Sequence, residues 1–406
     1  MSNLPLRIGA TALVATVLAA GCSSSKKTAN PSTAPTSSAA AAATTAAASS
    51  PAAAASSAAS AAPASSAAAG SASAPAPASS AAVAAGPTQP PPTVAFMVPG
   101  TLGDLGFFDS ANAGLKKASA LGATVKVVEG GVNATSTWLS DLQNLSNGDY
   151  KLVITGSAQV ADQITATAKQ FPNQKYIMFD QDMGLPNVAS ITYRQNDGAF
   201  LAGVLAALAS EDTKDFPLSK GDKNIGIVGG VNIPVINDFI VGFKKGAQVV
   251  DPSIKVQTSY VGSFTDSQTG YNQAASMYAS GADVVFAAAG GAGLGVLKAS
   301  HDKNKYSIGV DSNQNNLYPK NVLASDLKNV GASLYALIQK YEAGTLVYGA
   351  KGGYVFGLSN GGVELTVNNA LVPASVAAKI TSYSQQVASG AIQVPCVAPY
   401  CAASSQ

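Results

Sequence analysis

The chain has 406 residues, and 24 Lys and Arg nearly balance 22 Asp and Glu, for a formal net charge of +2. Every acidic residue lies beyond residue 92, as does every basic one except Arg7, Lys26 and Lys27; Arg194 is the lone Arg there. So neutral a body excludes the basic stripes and Arg forks that hold nucleic acid.

In chain order, the first predicted element is a signal peptide over residues 1–21. Residues 1–7 carry one positive charge and no acid, and residues 8–21 read IGATALVATVLAAG. That apolar run is too short and wrongly flanked for a membrane-spanning helix. It ends in Leu18-Ala19-Ala20-Gly21-Cys22, which resembles a bacterial lipobox. The resemblance implies that Cys22 is lipidated, becomes the first residue of the mature chain, and holds it to the outer face of the cell membrane. Ala19 stands where such signals more often have Leu. The alternative is an ordinary signal peptide with a chance Cys.

Residues 22–92 read as a disordered tether. Beyond Cys22 they are almost entirely Ala, Ser, Thr and Pro, with no aromatic residue. Such a stretch cannot bury enough apolar surface to offset its ordering entropy. As a flexible coil it reaches on the order of 50 Å.

From Thr93 to the end is a body of about 310 residues, enough for two domains. Short apolar strands are predicted at 93–98, 125–128, 152–154, 177–179, 225–228, 284–288 and 308–310. Helical spacing appears between them, as at 112–120 and around 139–145. Such alternation predicts parallel sheets covered on both faces and a doubly wound α/β architecture. Ligands of such sheets bind beyond the carboxyl ends of the strands.

Those ends carry the candidate site. After the first strand, Gly100, Gly103 and Gly106 make a loose turn into a helix opening with Phe107 and Phe108. Two adjacent rings cannot both face inward on a helix, so one is free for a cleft. Asp180 and Asp311 end two apolar strands. Each reads either as a ligand carboxylate or as a helix N-cap. Gly290 and Gly291 lie between a strand and a helix without the GxGxxG spacing, so a small ligand at a bare helix start is the better reading than a dinucleotide. Phe286, inside its strand, reads as core from pattern alone. Cys396 and Cys401 flank a Pro-containing turn, and an exported chain permits a disulfide there.

Ordered matches run along the body: residues 104–107 (DLGF), 114–118 (GLKKA), 191–193 (ITY), 198–203 (GAFLAG), 228–230 (VGG), 233–235 (IPV), 260–264 (YVGSF), 288–291 (AAGG), 293–296 (GLGV), 309–312 (GVDS) and 354–358 (YVFGL). In these stretches residues 93–365 resemble the basic membrane protein family of bacterial lipoproteins, of the purine-nucleoside receptor type. The resemblance implies a type I periplasmic-binding-protein fold: two doubly wound parallel-sheet lobes joined by a three-segment hinge. It also implies an ABC permease as partner. Lobe 1 is expected from 93–192 plus 328–345 and lobe 2 from 193–327 plus 346–395, with crossings near Tyr193, Lys328 and Thr345 and a tail over 396–406.

Carried over by position, Phe107 and Phe286 match the rings that sandwich a base. Asp180 and Asp311 match pocket carboxylates and Lys328 the pocket lysine; an Asp–Lys pair can fix ribose hydroxyls from the acceptor and donor sides. Two positions depart from the pattern. Val98 stands where nucleoside-binding members have a ligand-contacting Asp, and Phe108 where they have Asn. Trp138, the only Trp, reads as a third ring on the ligand or as core.

The rival class is an enzyme. His301, the only His, lies in a charged Ser-His-Asp-Lys stretch that reads as exposed, and there is no GxSxG elbow and no metal-ligand spacing. The expectation is therefore no catalytic residue, metal or cofactor, and a monomeric binding protein for a nucleoside-like solute. A sensor or surface antigen of the same fold is the alternative.

Overall fold

The computed structural model describes residues 88–132 and 134–401. The expected signal peptide, Cys22 and the tether as far as residue 87 lie outside these residues. Residues 88–92, assigned above to the tether, belong to the body instead. The Thr88 and Gln89 amides both donate to Glu342 O, at 2.8 and 2.9 Å, and Pro92 O accepts from Thr124 N at 3.0 Å. Composition misjudges them because mostly main-chain bonds, helped by the Thr88 hydroxyl on Glu342 O, dock them.

The first half of the chain builds β1 (Thr93–Val98), α1 (Phe107–Ala120), β2 (Thr124–Glu129), α2 (Thr135–Ser146), β3 (Leu152–Gly156), α3 (Ala161–Gln170), β4 (Tyr176–Phe179) and β5 (Val188–Tyr193). The central strands are buried along their length; β2 shows only exposed and half-buried residues, as an edge strand does. The chain then leaves this sheet at Arg194 for α4 (Gln195–Glu211), β6 (Asn224–Gly229), α5 (Pro234–Val250), β7 (Lys255–Tyr260), α6 (Ser267–Ala279), β8 (Val284–Ala288), α7 (Gly293–Asp302), β9 (Tyr306–Asp311) and β10 (Val322–Lys328). It returns through α8 (Val330–Glu342) and β11 (Tyr354–Phe356), then crosses again to β12 (Val363–Val367) and α9 (Ala374–Ala388).

Two six-stranded sheets result, in the orders β11-β5-β4-β3-β1-β2 and β12-β10-β9-β8-β6-β7. Every pairing in the first is parallel; in the second only β12 runs antiparallel, on β10. Apolar clusters fill both faces of each sheet.

The third crossing differs from expectation. It lies at Gly357, not near Thr345, because β11 pairs with β5 and keeps residues up to Phe356 in lobe 1. A three-residue strand carries too little pattern to announce its sheet. The hinge thus comprises Arg194, Asn329 and Gly357, with Arg194 N bonded to Phe356 O at 2.8 Å. Residues 396–401 are likewise no loose tail: Cys396 and Cys401 form a disulfide, Cα to Cα 5.2 Å, and Tyr400 is buried.

All of α4 except Leu208 and Glu211 is buried. It fits against α5 through glycines: a Cβ on Gly203 would meet Phe243 O at 2.1 Å, and one on Gly246 would meet Phe200 O at 1.9 Å. Backbone cannot yield as a side-chain tip does, so Gly246→Ala should destabilise the protein by about 1–3 kcal/mol. Urea unfolding at matched m-value measures it, and a loss below about 0.5 kcal/mol would contradict the close approach.

Candidate functional site: a cleft between the lobes

The loops after β1, β3, β4, β6, β7 and β8 and the carboxyl ends of β9 and β10 line one cavity of about 360 Å³. Its lobe 1 wall begins with the loop over residues 99–106, which acidic side chains hold in shape. Asp104 caps the start of α1: its carboxylate accepts from the amides of Gly106, Phe108 and Asp109 at 3.0, 2.8 and 3.1 Å. Asp109 accepts from Gly103 N and Leu105 N, both at 2.9 Å. So anchored, α1 presents both Phe107 and Phe108 to the cavity, their rings edge-to-face at 5.1 Å. The helix starts at Phe107, and both rings are half-buried, lining the cavity on one side and packing on the lobe 1 core on the other.

Asp180 directly follows β4 and Asp311 ends the equivalent strand β9, and both adopt left-handed backbone, φ 71° and 65°. Neither caps a helix, since no helix occurs between β4 and β5 or between β9 and β10. That removes the N-cap reading. Non-glycine residues in this region cost of order 1–3 kcal/mol and persist where their surroundings over-determine them. Lys328, at the end of β10, forms a buried ion pair with Asp180 although 148 positions separate them in sequence. The same Nζ lies 5.0 Å from the Tyr193 ring, 5.3 Å from Phe107 and 5.6 Å from Phe239.

Burial raises the Asp180 carboxyl above its usual range, with Lys328 pulling the other way. Burial pushes Asp311 up to about 7; Lys328 opposes the rise, and Asp104 and Asp180 add to it. The cleft therefore holds two carboxyls raised by burial around one lysine. At neutral pH such a set can both accept and donate hydrogen bonds.

Gly290 and Gly291 also line the cavity, and Gly291 lies against Asp104 of the other lobe. Trp138 borders the cavity but is 2% exposed, packs on Gly130 and donates its indole N–H to Gly131 O at 2.9 Å. It serves as wall, with its donor already used. His301 lies on α7, exposed and stacked on Tyr318 at 5.0 Å.

Phe286, matched by position to the base sandwich, is not in the cleft. It is fully buried within β8 and packs on Phe243 at 5.5 Å and Phe239 at 6.2 Å. The pleat directs its side chain into the helix-covered core. The lobe 2 aromatic residues that do line the cavity are Phe239, on α5, and Phe264, in the loop after β7. The carboxyl-end rule applied to β7 would have found Phe264; Phe239, one turn into a helix, had no such signal. Two hydrogen bonds cross the cleft mouth: Ser312 Oγ donates to Gly106 O and Gln314 Nε2 to Leu105 O, each at 3.1 Å.

Residues 92–397 match the family described as ABC transporter substrate-binding protein PnrA-like. The chain belongs to this family. Basic membrane protein D of Borreliella burgdorferi (strain JD1) is 32% identical over 311 residues, covering 75% of this chain and 87% of the relative. A CD4+ T-cell-stimulating antigen of Listeria monocytogenes is 31% identical over 317 residues, covering 73% and 85%. A solute-binding protein of an ABC transporter system from Aeropyrum pernix K1 superposes with TM-score 0.67 at 24% identity, over 75% of this chain and 94% of that one. A D-arabinose-bound carbohydrate transporter protein from Agrobacterium radiobacter superposes at TM-score 0.53, 16% identity, over 71% and 99%. These likenesses establish the type I periplasmic-binding-protein fold. PnrA-like proteins are solute-binding components of transporters, a class that binds and does not catalyse.

Two outcomes test this account of the cleft. Phe286→Ala should cost about 3–5 kcal/mol of stability as a core truncation, and the half-buried Phe264→Ala clearly less, in urea unfolding. Asp311 titrates at about 7 in the fold but near 3.9 unfolded. A raised carboxyl stabilises the fold most below the unfolded value, and that stability is lost as pH rises towards the folded one. Asn tolerates the same backbone, so Asp311→Asn should raise the melting temperature more at about pH 8 than at about pH 4.5. An equal change at both would mean that Asp311 is ordinarily ionised.

Proposed function

We propose that the chain captures a nucleoside in the interlobe cleft and presents it to an ABC permease, while held to the outer face of the cell membrane through lipidated Cys22. The observation that carries this reading is the company the cleft keeps. Phe107, Phe108 and Phe264 offer aromatic faces, and the Asp180–Lys328 pair and Asp311 offer charged and polar groups in the same cavity. Rings suit the flat face of a base; carboxylates and an ammonium suit the acceptor and donor sides of sugar hydroxyls. Flat heterocycle and polyol together describe a nucleoside better than a free sugar or a free base.

The membrane assignment rests on the lipobox-like end of the signal peptide and on relatives named basic membrane proteins. No helix among the described residues is long and apolar enough to cross a membrane. At the first-strand end Phe108 lines the cavity, whereas Val98 is fully buried and does not. A second reading, as an antigen of the same fold, is favoured by the Listeria relative's name.

Thermal shift and calorimetry with adenosine, guanosine, inosine, uridine, free bases and D-arabinose test the proposal. A true ligand at one hundred times its Kd should add about 2.7 kcal/mol of stability. Phe107→Ala should weaken its binding by about 1–3 kcal/mol. A shift with D-arabinose and with no nucleoside would reassign the cleft to sugars.

A further inference from the structure

We propose that Tyr400, held in a C-terminal disulfide loop, is a positioning residue of the cleft: it reaches from lobe 2 to fix the main chain of Asp180 in lobe 1. The proposal rests on the cleft being the binding site, and it adds to that site a segment that does not touch the cavity.

Asp180 needs external support. Its left-handed backbone is unfavourable for a side-chain-bearing residue, and only a single β-bridge from Gln181 to Ile191 holds the chain between it and β5. Two groups from lobe 2 supply that support. Lys328 pairs with its carboxylate. The Tyr400 hydroxyl lies 3.1 Å from its carbonyl oxygen and 3.2 Å from Gln181 Oε1. The Tyr400 ring packs into the apolar cluster of lobe 2 with Val394, Val387 and Ile380. One residue is thus rooted in one lobe and bonded to the other.

The loop bearing Tyr400 is keyed to the hinge. Val397 N donates to Asp238 Oδ1 at 2.7 Å, and Asp238 Oδ2 accepts from Gln195 Nε2 at 2.7 Å. Asn196 Nδ2 donates to Pro395 O at 3.0 Å. Gln195 and Asn196 are the first residues of α4, directly after the crossing at Arg194. Residues 396–401 have neither helix nor strand to hold them, so the Cys396–Cys401 bond restrains the loop. Both cysteines are exposed, within reach of an added thiol, while Tyr400 between them is buried. Opening the bond returns conformational freedom to the segment that presents the hydroxyl.

The test uses the full chain and two readouts. Tyr400→Phe keeps the ring and deletes the hydroxyl; dithiothreitol on the wild-type protein and the Cys396→Ser/Cys401→Ser variant release the loop. Hydrogen exchange by mass spectrometry on ligand-free protein should show faster exchange over residues 177–185 in all three, with residues 93–98 unchanged. Affinity for the nucleoside that binds the wild-type protein should fall about fivefold to tenfold in Tyr400→Phe, the worth of one hydrogen bond. Unchanged exchange at 177–185 in both Tyr400→Phe and the reduced protein overturns the proposal, whatever the ligand. Faster exchange with undiminished affinity also overturns it. Faster exchange in a protein that binds no nucleoside even as wild type supports the positioning of Asp180 and defeats the nucleoside reading alone.

Discussion

A lysine 2% exposed at the end of β10 must have a partner, and the arrangement of the cleft follows from how that need is met. Removing one member of a buried ion pair typically costs 3–5 kcal/mol, because the other charge is left without compensation. The partner here is Asp180, across the hinge in the other lobe. The pair therefore couples the lobes as well as satisfying a charge. Phe107, Tyr193 and Phe239 surround the ammonium with ring faces and keep bulk water from it.

The two lobes reach this arrangement by repeating one plan. Their strand orders are the same when β1 is set against β6, β2 against β7, and β11 against β12. In that correspondence Asp180 and Asp311 are equivalent, which accounts for their shared left-handed backbone. Tyr193 and Lys328 are equivalent too, each closing its lobe's penultimate strand just before a crossing. The plan is similar and the chemistry divides. Burial raises both carboxyls and Lys328 opposes the rise at both, but Asp180 also hydrogen-bonds to Lys328, whereas Asp104 and Asp180 push Asp311 further up. Differences between equivalent positions give the cleft distinct ends, as an asymmetric solute requires.

Contacts beyond the hinge hold the lobes as described. Ser312 and Gln314 bridge the mouth of the cleft to the loop that Asp104 and Asp109 shape. The C-terminal loop bridges the lobes away from the cavity, through Tyr400 on Asp180 O. A solute contacting both walls favours whatever lobe arrangement these bonds favour, and differential contact of that kind makes lobe closure readable by a transporter.

By itself the sequence determined the fold class and the neighbourhood of the site. Apolar strands alternating with helices allow little besides covered parallel sheets, and ligands of such sheets bind at the carboxyl ends, where Phe107, Asp180, Gly290 and Asp311 stand. The near pair Cys396 and Cys401 was legible because five positions and a proline bring them together regardless of the rest. Tertiary structure decided what depends on orientation or on distant partners. The pleat of β8 sent Phe286 into the core, and the fold put Phe239 and Phe264 on the wall instead. Pairing of β11 with β5 moved the third crossing to Gly357. Lys328 found Asp180, and Tyr400 its carbonyl, across 148 and 220 positions of chain. Local pattern reports which face of an element is apolar; which neighbour that face meets is settled only when the sheets close around their cores.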